Sequence, residues 1–293
     1  MNIRKFFSVF FISTTLLFLC VFAAAYVYVS GLQIGGGGEI AELDVHVEKH
    51  ERKNVLVVGS DKSGVLADVI MIFSFSDEND PVNVVSIQRD TEVTVDGYSW
   101  KINSTYQLGL ERFVSIVKDV TEIPIHDYIV VNFKAVENVI DLLGGVDFNV
   151  PQDMDYEDPY QDLYIHLRGG YQHLNGAKAL QLLRFRGYPM ADIQRTQVQR
   201  DFIMAVFEQK VKAENVSKIE PIFNAVSKNI QSSLSVNEVL EYATMAQGVQ
   251  MNTYPMPCIL NGYGGVIVDR AGMYELAQQH FIVEESNMEK EKE

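Results

Sequence analysis

Continuous apolar runs alternate with helical spacings along most of this chain. "NVLVVGSD" from Asn54, "DVIMIFSFS" from Asp68 and "VNVVSI" from Val82 are rich in Val and Ile, with only isolated polar residues such as Ser74, Asn83 and Ser86 among them. Such runs predict strands covered on both faces, because a strand with one wet face alternates apolar and polar residues. "DENDP" between the second and third reads as a turn. Further on, "FVSIVKDVTE" has helical spacing, "HDYIVVNF" reads as a strand, "KAVENVIDLLGG" as a helix closed by Gly144 and Gly145, and "VDFNVP" as a short strand. From Asn175 the pattern turns mostly helical, through "NGAKALQLLRF", "ADIQRTQVQRDFIMAVFEQKVKAEN" and "SVNEVLEYATMAQ". "GGVIVDRAGMYELAQQH" supplies a last strand or loop and a helix before the polar tail. Strand and helix in alternation predict an α/β fold: a three-layer α/β/α sandwich around a central mixed sheet.

The N-terminus has a different pattern. Arg4 and Lys5 precede an uncharged, mainly apolar run from Phe6 to Val29, about 24 residues, which suffices to cross a bilayer as a helix. It predicts a single transmembrane anchor. The rival reading, a leader cleaved after Ala23–Ala25, also exports the remainder. With Arg4 and Lys5 retained inside, the N-terminus is expected in the cytoplasm and the C-terminal bulk outside it, on the cell membrane. The expected organisation is an anchor at 1–30, a glycine-rich stalk at 31–53, and one folded domain at 54–293 with its last part, from about 208, helical and then polar.

Charge narrows the functional classes. The formal net charge is -15, and losing Arg4 and Lys5 to the other side leaves the exported part at -17. Nucleic-acid binders neutralise phosphates with broad Lys/Arg surfaces, so nucleic acid is not an expected partner. Cys20 lies in the apolar run and Cys258 far from it, so no disulfide is expected between them.

Against this acidity, "LLRFRGYPMADIQRTQVQR" gathers Arg184, Arg186, Arg195 and Arg200. On a helix, Asp192, Arg195 and Gln199 share one face. An i,i+3 ion pair would explain one arginine; four together point to a phosphate or diphosphate, whose oxygens fit guanidinium forks. Arg89 and Asp90 follow a buried strand directly, where open α/β sheets bind ligands, though Arg89 also has Asp90 or Glu92 as a simple ion-pair partner. Asp61 and Asp68 flank one loop, and Mg²⁺ takes one or two carboxylates together with substrate phosphates; Asp61 is equally a turn residue. Lys101 beside Trp100 is by itself a weak signal. His126, His166 and His173 lack metal-ligand spacing, and no Walker loop, G-x-S-x-G or H-E-x-x-H occurs.

In order, "NVLVVGSD", "ADVIMIFSF", "VVSIQRDTEV", "KINSTY", "IHDYIVVNF", "LLGGVDFNVP", "MDYEDP", "LNGAKALQLLRFR" and "DIQRTQVQRDF" resemble the LytR-CpsA-Psr family of bacterial envelope proteins over roughly 54–207. The resemblance implies a deep apolar groove for a polyprenyl chain. It also implies a phosphotransferase that moves a teichoic acid or capsular polysaccharide from an undecaprenyl diphosphate carrier to peptidoglycan. Matched by motif, Asp61 and Asp68 would hold Mg²⁺, and Arg89, Arg184, Arg186 and Arg195 would hold the diphosphate with Gln199 beside them and Lys101 at the rim. Arg89, Arg184 and Arg186 would act in catalysis with Asp90 as proton acceptor. The chain departs from the family pattern at Leu66-Ala67-Asp68-Val69, where Arg-Ser/Thr-Asp-Thr is usual, and at Gln88, where Pro is usual. Those departures keep two alternatives open, a non-catalytic polyprenyl-phosphate binder or regulator and a diphosphate hydrolase.

Overall fold

The computed structural model describes residues 52–61, 64–76, 80–161, 163–189, 191–261 and 265–282. The predicted anchor and the predicted stalk up to residue 51 lie outside them, Lys53 at the end of that stalk already belongs to the first strand, and among the described residues no helix is long and apolar enough to cross a membrane.

The three Val/Ile runs are strands β1 (Lys53–Ser60), β2 (Ala67–Phe75) and β3 (Val82–Ile87). A hairpin, β4 (Glu92–Val95) and β5 (Tyr98–Lys101), comes after them and leads through a 3₁₀ turn into α1 (Leu110–Thr121). Next come β6 (Asp127–Val131) and α2 (Phe133–Leu142), the latter capped by Asn132, whose side chain accepts from Ala135 N. β7 (Val146–Val150), β8 (Met154–Asp158), β9 (Leu163–Leu167) and β10 (Gly170–Leu174) form two antiparallel pairs, β7 with β10 and β8 with β9. Helices α3 (Gly176–Arg184), α4 (Ala191–Lys210), α5 (Ala213–Val216) and α6 (Ile219–Val226) come next. The chain ends with β11 (Ile230–Ser232), α7 (Val236–Met245), β12 (Met251–Pro255), the hairpin β13 (Cys258–Leu260) and β14 (Val266–Val268), and α8 (Arg270–His280).

The central sheet is mixed, in the order β11-β6-β1-β2-β3-β12. β1, β3, β6 and β12 run one way, while β2 and β11 oppose their neighbours. Both edge strands come from the C-terminal part, whose sequence pattern is mostly helical. On one face, Leu56, Val58, Ile70, Ile72, Val85 and Ile87 pack with Phe113 and Val117 of α1 and Met273 and Ala277 of α8. On the other face, Met71, Val84 and Phe73 meet Ile203 and Phe207 of α4. A third cluster joins the β7–β10 and β8–β9 pairs to α3 and α4 through Leu163, Ile165, Leu182, Val198 and Phe202.

The ladder between β1 and β2 has one irregularity. The two strands pair regularly until Gly59 faces Val69 and Ser60 faces Ala67, which leaves Asp68 as an extra residue in a β-bulge. Bulges re-aim side chains next to functional sites. Gly59 permits the close approach, since a Cβ there would lie 3.0 Å from the Val69 Cβ.

Candidate functional site

The C-terminal ends of the parallel strands meet at one edge of the sheet, and the chemistry gathers there. Asp61 comes directly after β1 and folds its loop back: its Oδ1 accepts from Val65 N at 2.8 Å and Leu66 N at 3.0 Å. Arg89 and Asp90 form the turn after β3, held where Thr91 Oγ1 donates to Gln88 O at 2.6 Å and Asn103 N to Arg89 O at 3.1 Å. α3 ends at Arg184, the chain extends through Phe185, and α4 begins soon after, which puts Asp192 in its first turn.

Arg89 is the hub. Its Nη1 donates to Asp68 Oδ1 at 2.7 Å, and its Nε lies 3.3 Å from Asp192 Oδ1 and 3.8 Å from Asp90 Oδ2. Asp192 Oδ1 also pairs with Arg195 Nη2, so one carboxylate ties the end of β3 to the start of α4. Arg186 Nη2 stands 3.7 Å from Asp68 Oδ2. Burial opposes the charge of Arg89, yet Asp192, Asp68 and Asp90 outweigh it and raise its pKa above the ordinary guanidinium value. Arg195 is almost fully buried, and desolvation lowers its pKa despite Asp192, with Arg89 adding to the decrease. Burial pushes the Asp90 carboxyl up, but the Lys101 hydrogen bond at 2.9 Å and the nearby Arg89 outweigh it and hold the pKa below the usual carboxylate value.

These groups border a cavity of about 610 Å³. Asp61, Asp68, Arg89, Arg184, Arg186, Arg195 and Gln199 all line it, so the structure brings together seven of the nine residues singled out from the sequence. Four guanidinium groups and two carboxylates line the cavity; with Asp90, Asp192 and Lys101 at its border, five cationic side chains stand against four carboxylates in a strongly acidic chain. Arg89 Nε and Arg195 Nε are buried without a hydrogen-bond partner, although the first lies within ion-pair distance of Asp192. An unmade hydrogen bond on a buried donor costs about 1–3 kcal/mol, which an anion with several acceptor oxygens would recover. Arg184 also lies over the Phe133 ring, 4.5 Å from its centroid.

Asp90 and Lys101 are the two that do not line the cavity; they pair with each other beside it. Sequence reasoning did not place Asp192, Phe133 or Tyr160 in the site. The i,i+3 spacing of Asp192 and Arg195 was the available signal for the first, whereas the others reach the cavity through folding alone. Arg200, from the arginine-rich segment, turns away and donates to Ser86 Oγ at 2.8 Å. His126 Nδ1 accepts from Asn54 N, and His166 and His173 pair with carboxylates on exposed hairpins. Among the described residues no group of three or more His, Cys, Asp or Glu is set to hold a metal.

The opposite side of this mouth is apolar. Val131 lines both the charged cavity and a second of about 300 Å³, bounded by Val139, Ile219, Ile222 and Phe223 among others. Ile129, Val211, Val239 and Ala243 line that second cavity and also a third of about 280 Å³, which reaches Val55, Val57 and Phe75 near the start of β1. α4 runs beside all three, from Arg195 and Gln199 through Val206 to Phe207. At 1.5 Å per residue this helix is about 30 Å long.

A charged mouth at the strand ends that shares a wall with apolar cavities is an arrangement suited to an amphiphile with an anionic head. The chain belongs to the LytR_cpsA_psr family, whose profile matches residues 34–290. It is similar to the polyisoprenyl-teichoic acid–peptidoglycan teichoic acid transferase TagV of Bacillus subtilis, at 30% identity over 62% of this chain and 48% of TagV. It is also 30% identical to the transferase TagU of Bacillus anthracis, over 67% of this chain and 65% of TagU. The chain thus spans about half to two thirds of these relatives' length. The crystal structure of B. subtilis TagV superposes with a TM-score of 0.66 at 25% identity, covering 79% of this chain and 97% of that structure.

Proposed function

We propose that this protein is a membrane-anchored transferase that moves a glycopolymer of the teichoic acid or capsular polysaccharide type from an undecaprenyl diphosphate carrier to a hydroxyl of peptidoglycan. The observation that carries the reading is the shared wall at Val131, where a cavity ringed by four arginines meets a run of apolar cavities. In this reading the polyprenyl chain occupies the apolar run and the diphosphate lies at the mouth. The names of the similar TagV and TagU proteins support the same substrate class.

The acceptor oxygen forms a new bond to the phosphorus that carries the sugar, the bond between the two phosphates breaks, and polyprenyl phosphate leaves. Phosphoryl transfer of this kind depends on positioning and on stabilising charge that builds on the leaving phosphate. Arg89, Arg184 and Arg186 supply that stabilisation, with Arg195 and Gln199 fixing the bound diphosphate. Asp90, held ionised by Lys101 and Arg89, orients Arg89 and takes the acceptor's proton, which it passes on to water.

Asp61 and Asp68 fit Mg²⁺ by chemistry, being two hard oxygen donors on one cavity wall, with phosphate and water oxygens needed to complete the shell. Bound there, the ion would neutralise phosphate charge. The Arg89 and Arg186 partners of Asp68 would then turn to the phosphates. The apolar run from Phe6 to Val29 would keep the protein at the outer face of the cell membrane, beside its lipid substrate.

A second reading, a binder that does not turn the lipid over, is favoured by Leu66 and Val69, which give the mouth two apolar walls. The test is incubation of the full chain in detergent with labelled undecaprenyl-diphosphate saccharide, peptidoglycan oligomers and Mg²⁺. Label on peptidoglycan, lost in Arg89→Ala and Asp68→Ala, is expected. Retention of lipid without transfer would establish the binder, and release of label to water would establish a hydrolase.

A further inference from the structure

Exposed tyrosines are concentrated in one stretch. Tyr156, Tyr160, Tyr164 and Tyr171 fall between β8 and β10, and Tyr160, at the tip of the β8–β9 hairpin, is fully exposed. Tyr160 also borders the charged cavity, whose lining includes Arg184 and Arg186. Packing does not account for an aromatic ring left in water at the rim of a site. Tyrosine does supply broad, rigid, amphipathic contact at little cost in conformational entropy.

We propose that the β8–β9 hairpin receives the glycan backbone of the acceptor, with the Tyr160 ring stacking on a sugar ring at the cavity mouth. The inference rests on the transferase reading and adds the acceptor's place to it. Leading into the tip, Asp158 Oδ1 accepts from Tyr160 N at 3.1 Å and Pro159 fixes its own backbone angle. Below the tip, the outer face places Glu157 opposite Tyr164 and Asp155 opposite His166. His166 reaches both carboxylates, at 2.7 Å to Asp155 and 3.2 Å to Glu157. Phenol, imidazole and carboxylate side by side offer the donors and acceptors that sugar hydroxyls need.

Charge selects between the two saccharides that meet at this mouth. Asp153, Asp155, Glu157 and Asp158 stand against Arg168 on the hairpin, a clear negative surplus. A donor polymer of the teichoic acid type, which carries phosphate along its length, is repelled there, whereas an uncharged N-acylated sugar backbone is not. The hairpin therefore takes the acceptor strand, and the donor polymer leaves the mouth by another side.

The experiment uses the full chain in detergent, with peptidoglycan glycan oligomers of defined length and a polyprenyl-diphosphate disaccharide. Tyr160→Ala is expected to raise the KM for the oligomer about tenfold, a loss of about 1.4 kcal/mol, and to do so by more than it weakens the Kd for the lipid diphosphate. Tyr160→Phe, which keeps the ring, is expected to behave as wild type. An unchanged acceptor KM in Tyr160→Ala, a lipid Kd that weakens in step with it, or equal impairment in Tyr160→Phe would overturn the proposal. Titration of the oligomer alone, without donor, separates the two readings. Oligomer binding that is lost in Tyr160→Ala supports the hairpin's role even if no lipid diphosphate binds, and absence of oligomer binding in the wild type sinks it even if transfer occurs.

Discussion

The two faces of the central sheet are built from the same residue types and are filled to different degrees. Val58, on one face, is fully buried in a cluster closed by α1 and α8. Its neighbour Val57, on the other face, borders the apolar cavity that α4, α7 and β12 leave unfilled. Both are valines in one strand, so side-chain chemistry does not distinguish a solid core from a hollow one; the helices laid over each face do. A packed face stabilises the domain, and an unfilled one reserves volume for a ligand.

The largest effect that would test this contrast is on the solid side. Phe113→Ala, in a fully buried position of α1, is expected to lower unfolding free energy by about 3–5 kcal/mol in a denaturant titration. A cost below about 1 kcal/mol would mean that this face is hollow too. Next comes the paired comparison within β1: Val58→Ala is expected to cost about 2 kcal/mol and Val57→Ala less than about 1, because Val57 already has a cavity beside it. Equal costs would erase the distinction. Filling the hollow is the converse. Ala243 borders both apolar cavities, and Ala243→Phe is expected to weaken polyprenyl phosphate binding at least about tenfold with little change in stability, read by lipid titration and thermal unfolding of the same variant.

The smallest effect concerns the mouth that joins the hollow face to solvent. The folded-state pKa of Asp90 is depressed, so its contribution to stability is present above the unfolded carboxylate value near 4 and is lost as pH falls through the folded value. Wild type should therefore exceed Asp90→Asn in denaturant midpoint at neutral pH, with the gap closing below about pH 4. A gap that widens on acidification would show that Asp90 is not held as an anion by Lys101 and Arg89.

The strands β1, β2, β3 and β6 and the helices α1 to α3 were legible because each has a length and period that one element type satisfies, and α4 by its length and helix-forming residues. The edges of the sheet were not. β11 is three residues long and β12, "MNTYP", has little strand character of its own; each is a strand because a neighbour's open backbone groups pair with it. In the site, the arginines stood out by their number in an acidic chain. Asp192 was harder to see because its role depends on reaching Arg89, about a hundred positions earlier, and no local spacing records that meeting. Tyr160 became significant only by being exposed, which is a property of the fold.

The bulge at Asp68 separates two kinds of change that a strand ordinarily couples. Inserting or deleting a residue in a paired strand turns every later side chain to the opposite face. At Asp68 the ladder steps from Ala67 to Val69 without it, so the partners of Val69 through Phe75 do not depend on its presence. The mouth can thus gain or lose a carboxylate while Ile70 and Ile72 stay in the cluster under α1 and α8 and Met71 and Phe73 stay on the opposite face. In evolutionary terms this is a position where chemistry can drift without refolding the protein, and a deletion at 68 is expected to leave a folded domain with an altered site.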